Sequence, residues 1–191
     1  VENLQSLPVT GPVTDSERSY AVDSLNATLA NLKQSLDGLS TEQLTYKPTV
    51  DRWSIAECVE HIALVEKGIY KAILAGMSVP ADPAKRADIR ISDVDVIKAV
   101  RSRLFTLAAP APFVPTGRFG DASYALQAFE ERRQDAIDLV LNTKNDLRTH
   151  YFIHPALGTL DTYQAVLVMA SHVERHRKQI DEIKASSGFP S

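Results

Sequence analysis

His172 and His176 stand four residues apart, a spacing that puts two side chains on one face of a helix. The same face is apolar: Ala165, Met169, Ile180 and Ile183 continue its stripe. An inward pair of imidazoles at this spacing can bind one transition metal, because imidazole nitrogens reach zinc, nickel, copper or iron at roughly 2.0–2.2 Å. His61 falls between Cys58 and Val65 on the inward side of an earlier helix, and antiparallel packing of the two helices would bring it to the same point. The competing reading is a set of ordinary core histidines. Each of the three would then need its own hydrogen-bond partner.

Other reactive side chains surround these positions. Glu57, one turn before His61, is the candidate catalytic base or an acceptor for an imidazole N–H, against the stronger reading as capping partner of Ser54. Glu60 and Glu174 read as solvated helix-face charges. Arg175 could hold an anionic substrate, although its neighbours Arg177 and Lys178 suggest a wet surface. Gln179 orients a ligand or bonds to solvent. Cys58 is either a soft fourth ligand or, from its place at the start of the helix, a packed core thiol. Trp53 is packing or an aromatic wall. His150 and His154 are also four apart, but they flank Tyr151-Phe152-Ile153 and precede Pro155, so an extended or turn segment is expected. His154 is the nearer of the two to any site.

The elements that must position these groups are helices. Thr14 ahead of Asp15 and Glu17 predicts an N-cap, and Ala21/Val22, Leu25, Leu29, Leu32, Leu36 and Leu39 follow at steps of three and four. Gly38 and Ser40-Thr41-Glu42 read as a stop and turn, and Leu44 to Pro48 as a connector. Ser54 with Glu57 is a capping box opening a second helix to about Ala75, with Trp53 and Cys58 at staple positions. Residues 76–92 read as a crossing loop and Ser92 to about Leu107 as a shorter helix. Ala109 to Gly120 holds three prolines and two glycines and must be irregular. A third long helix is expected over Asp121–Asn142, with Tyr124/Ala125, Ala128/Phe129, Ile137, Val140 and Leu141 inward. Asp161 with Gln164 opens the fourth, which runs to about Ala185.

The result is an all-α, up-down four-helix bundle with one long crossover, spanning residues 14–186 between a flexible lead-in (1–13) and a short tail (187–191). A chain of 191 residues suffices for one such core. The net charge of −3, without a basic run, argues against nucleic acid as a partner. No apolar stretch approaches the ~18 residues of a membrane span. One cysteine excludes an internal disulfide, which suits a reducing compartment. The cytoplasm is the default location. The chain opens on Val1 and not Met, which leaves export after removal of an upstream signal peptide open.

The segments Asp51-Arg52-Trp53-Ser54-Ile55-Ala56-Glu57-Cys58-Val59-Glu60-His61-Ile62-Ala63 and Ser171-His172-Val173-Glu174-Arg175-His176-Arg177-Lys178-Gln179-Ile180 resemble the two signature stretches of the DinB-like superfamily. His154 to Asp161 is similar to the loop that precedes the family's last helix, and the likeness runs from about Ser16 to Ala185. It implies a DinB/YfiT-type four-helix bundle, often a homodimer, with His61, His172 and His176 binding a divalent transition metal, zinc or nickel foremost. Some members of the wider superfamily are transferases using low-molecular-weight thiols, and others are described as metal-dependent hydrolases. The resemblance therefore implies a metal-dependent thiol transferase or hydrolase acting on a small thiol or other small molecule. The alternative is a non-catalytic, metal-binding or stress-associated bundle. Three neutral ligands would leave an open position on the ion, as in catalytic rather than closed structural sites. A bound water could then be acidified, or a substrate thiol taken as thiolate.

Overall fold

The computed structural model describes residues 4–104 and 108–191; residues 1–3 and 105–107 lie outside these, and the short helix expected to reach about Leu107 already ends at Arg101, because Ser102 turns extended. In chain order the elements are α1 (Asp15–Leu36), α2 (Thr41–Thr45), α3 (Ile55–Met77), α4 (Asp93–Arg101), α5 (Ala122–Asn142), a hairpin of β1 (Tyr151–His154) and β2 (Gly158–Asp161), and α6 (Thr162–Lys184). Long helices begin where a side chain can satisfy the first backbone N–H groups. Thr14 with Glu17, Ser54 with Glu57 and Asp161 with Gln164 each close a reciprocal capping box.

The four long helices form the bundle, with α1 and α3 each packed between α5 and α6. Tyr163 at the start of α6 bonds to the Glu17 carbonyl, and Lys184 at its end reaches the Ser35 carbonyl, so α1 and α6 run parallel. Gly76, late in α3, lies against Thr162, which makes α3 antiparallel to α6. The starts of α3 and α5 line one surface cavity of about 400 Å³. The long crossover between them therefore returns the chain to its own end, and the order is up, down, down, up. Burial on α6 is continuous from Thr162 to Ser171, which marks it as the central helix.

Several expectations change. The connector from Leu44 begins inside α2, because Ser40 and Gln43 form a further capping box. The crossing loop contains a 3-10 turn, Pro83–Asp88, capped by Asp82. On α5, Tyr124 and Leu141 are exposed, while Ala125, Phe129, Arg133, Ala136, Ile137 and Val140 are buried. The residues before α6 form an antiparallel hairpin that pairs Tyr151 with Asp161. Residues 4–13 lie along the body, with Val9 buried, Gln5 N–H donating to Asp93 and Val13 N–H to Asp146. Among the described residues no helix is long and apolar enough to cross a membrane.

Two buried arginines tie the helices together. Arg133 of α5 donates to both Glu66 oxygens, at 2.6 and 3.0 Å, and to Thr28 and the Leu25 carbonyl of α1. Arg148 joins Glu17 of α1, Asp93 of α4 and Asp161 at the cap of α6, all within 3.0 Å. Neither arginine is solvent-accessible.

Candidate metal centre

Ser54 starts α3 and thereby fixes the rotation at which its second turn presents His61. Antiparallel packing sets that turn against the middle third of α6. The three imidazoles converge there: ring centroids are 4.6 Å apart for His61 and His176, 5.1 Å for His61 and His172, and 4.5 Å for His172 and His176. One ligand nitrogen from each lies within 4.8 Å of the others. His61 and His176 are buried and His172 is half-buried, the most exposed of the three.

Hydrogen bonds decide which nitrogens face inward. His61 Nδ1 lies 2.7 Å from the Phe113 carbonyl, which can only accept, so Nδ1 carries the proton and Nε2 keeps its lone pair. His176 Nδ1 lies 3.0 Å from Gln179 Oε1, which also accepts from Arg103 at 3.3 Å. Its Nε2 is likewise left for the cluster and faces His172 Nε2 at 3.1 Å. Two nitrogens at that separation subtend about 98° at an ion bonded to each at ~2.05 Å, close to tetrahedral. Bringing in the third requires ring movements on the order of 1 Å, since a tetrahedral edge is roughly 3.4 Å. The donor set fits a borderline-soft divalent ion.

Electrostatics keep the rings neutral. Burial is the main cause for all three and the charge of Arg175 adds to it; His61 also lowers both α6 rings and His176 lowers His172, while the hydrogen bond to the Phe113 carbonyl works the other way on His61. His176 is lowered to about 3 and His172 well below the usual histidine value. Neutral imidazole is the ligand form, so protons compete weakly for the site. The indole of Trp53 walls one side, 4.8 Å from His61 and 6.3 Å from His176.

The remaining residues separate clearly. Glu57 keeps its place in the cap, accepting from Ser54 N–H at 2.8 Å, and its other oxygen meets Lys47 at 2.8 Å. Glu60, read as a solvated charge, is buried and accepts from the backbone N–H groups of Thr116, Gly117 and Arg118. The packing of the crossover loop over α3 is what removes it from water. Glu174 is half-buried and paired with Arg177 at 2.8 Å. Gln179 orients His176. His150 sits at the far end of α3 against the Gly76 carbonyl. His154 is on β1, its Nδ1 accepting from Ala156 and Leu157, and it adds a lesser electrostatic push on His172. Sequence reasoning missed Arg103 and the Phe113 carbonyl. No local signal marks either, because both come from the crossover.

Cys58 is fully buried in the core, and burial pushes its thiol up to about 12. It is expected to stay inert to a disulfide reagent at pH 8 in the native protein and to react stoichiometrically once denatured. Native labelling at the denatured rate would show the packing to be wrong.

Comparison with known proteins shows the family and the fold. The family model described as the DinB superfamily matches residues 24–180. The uncharacterized protein YuaE of Bacillus subtilis (strain 168) is 24% identical over 149 residues, covering 78% of this chain and 88% of its own. A solved structure, YfiT from Bacillus subtilis, superposes with a TM-score of 0.62 at 18% identity, over 93% of this chain and 91% of that one. That protein is described as "a probable metal-dependent hydrolase with an unusual four-helix bundle topology".

Proposed function

The chain belongs to the DinB superfamily, and from that premise we propose that it is a metal-dependent enzyme acting on a small molecule by thiol transfer or hydrolysis. The observation that carries the reading is the convergence of three neutral imidazoles on one point, His172 being the single half-buried member. His61, His172 and His176 would hold a divalent transition metal, with zinc or nickel the first candidates. Bound there, the ion supplies Lewis acidity toward an incoming oxygen or sulfur donor. The chain's own groups do the rest. The Phe113 carbonyl and Gln179 hold two rings in the ligand tautomer, Trp53 excludes water from one flank, and the His172 side admits substrate. Glu57, as a base, would have to leave both its cap and Lys47.

Zinc-loaded protein should be assayed twice, for consumption of a low-molecular-weight thiol with an alkylating electrophile and for hydrolysis of an activated ester. Metal-dependent turnover in either assay, abolished in His172→Ala, supports the enzyme and selects the chemistry. Stoichiometric metal with no turnover in either would favour the non-catalytic bundle. Homodimer assembly belongs to the same proposal and is read by light scattering on the same samples.

A further inference from the structure

We propose that Glu60 is a positioning residue for the metal centre: it anchors the 112–118 segment whose Phe113 carbonyl holds the His61 ring, and so sets where His61 Nε2 points. The inference rests on the three-histidine reading above and adds a residue to it.

Glu60 and His61 are consecutive on α3, and one loop segment grips both. Burying a carboxylate is costly unless hydrogen bonds replace its water. Here Thr116 and Gly117 N–H donate at 2.9 Å and Arg118 N–H at 3.3 Å, three successive amides converging on one anion. Such a nest needs a left-handed residue, and Gly117 supplies it at φ 76°. The Arg118 guanidinium then crosses back to the carbonyls of Pro112 and Val114 at 3.3 and 3.2 Å, bracing the segment into a strut.

At its other end the Phe113 ring is seated on Gly68 of α3. A Cβ at position 68 would stand 2.6 and 2.7 Å from two ring carbons, so a side chain there would push the ring off its seat. Between these two anchors the Phe113 carbonyl meets His61 Nδ1 at 2.7 Å. Polar partners of this kind fix the tautomer and aim of a ligating imidazole, and their loss typically lowers metal affinity about 10–100-fold.

The test uses Glu60→Ala, Glu60→Gln and Gly68→Ala, read by two measurements. One is zinc affinity by competition with a chromogenic chelator. The other is the histidine ring nitrogen NMR spectrum of the metal-free protein. Wild type should show His61 as a single Nδ1–H tautomer. In Glu60→Ala that signature should give way to mixed tautomers, while His176, held by Gln179, keeps its own. Zinc affinity should fall about 10–100-fold. Glu60→Gln, which keeps one accepting oxygen, should lie between. Gly68→Ala displaces Phe113 with Glu60 intact and should reproduce the change at His61. A folded Glu60→Ala with the wild-type His61 spectrum and affinity within a factor of about two overturns the proposal and leaves the metal reading standing. Wild type that binds no zinc overturns the metal reading instead, and the ring spectra alone then decide whether Glu60 positions His61. Should Glu60→Ala not fold, the other two variants decide by the same readouts.

Discussion

His176→Ala is expected to lose the metal while keeping the bundle. Wild type, purified without chelator or nickel resin, should carry about one divalent ion per chain, and the variant close to none. The loss should exceed the ~10–100-fold that removal of an outer hydrogen-bond partner costs, because on the proposed reading His176 is itself a ligand. It is the more buried of the two α6 histidines, and its Nε2 faces His172 Nε2 at 3.1 Å. The apolar contacts of Ile180, Val173 and Ile183 are untouched, so the far-ultraviolet dichroism should be preserved. The pH dependence follows from the direction of the shifts. Burial lowers all three histidines in the fold, so neutral rings persist below the ordinary value of 6.5. Zinc affinity should therefore be flat from about pH 8 to 6, where exposed imidazoles already begin to take up protons. By the same linkage, the metal-free protein should lose stability as pH falls below 6.5 toward the folded values, since the unfolded chain then binds more protons. Metal analysis on the two proteins side by side checks the first expectation; an equal content in both would defeat it.

Arg148→Met is expected to be the most destabilising single change. Its guanidinium is the cation that Glu17, Asp93 and Asp161 share inside the fold, with no solvent access. Removing it leaves three buried carboxylates facing one another. Breaking a buried pair from one side costs about 3–5 kcal/mol, and here one deletion uncovers three partners. Urea unfolding at pH 7 measures the loss. The sign with pH is also determined. Burial already pushes Asp161 up to about 6, and Arg148 is the main influence holding it down. Without Arg148 the folded Asp161 carboxyl binds its proton more tightly than it does in the unfolded chain. The deficit should shrink as pH is lowered from 7 toward 5 and grow as it is raised. A variant within about 1 kcal/mol of wild type at pH 7 would mean that water reaches the hub.

Arg148 also marks the boundary of what the sequence by itself determined. The helix caps at Thr14, Ser54 and Asp161, the three- and four-residue apolar steps and the inward face of His172 and His176 are all local. They depend on residues within two helical turns, so spacing alone made them legible. The all-helical class and the long crossover followed from the same signals. His61 was legible as an inward residue, but its arrival at the α6 pair required the packing of a second helix. The rest was decided by contacts distant in the chain. Glu60 became a buried anchor because residues 116–118 fold over it, and Phe113 entered the site through a carbonyl that every residue possesses. Arg133 and Arg148 lie in the core because carboxylates from other helices meet them there. On α5 Ala125 and Val140 turn inward, and their neighbours Tyr124 and Leu141 stand at the surface. Local periodicity reports which face of a helix is apolar. Which charged groups can be buried is set by partners that only the tertiary structure brings within hydrogen-bond reach.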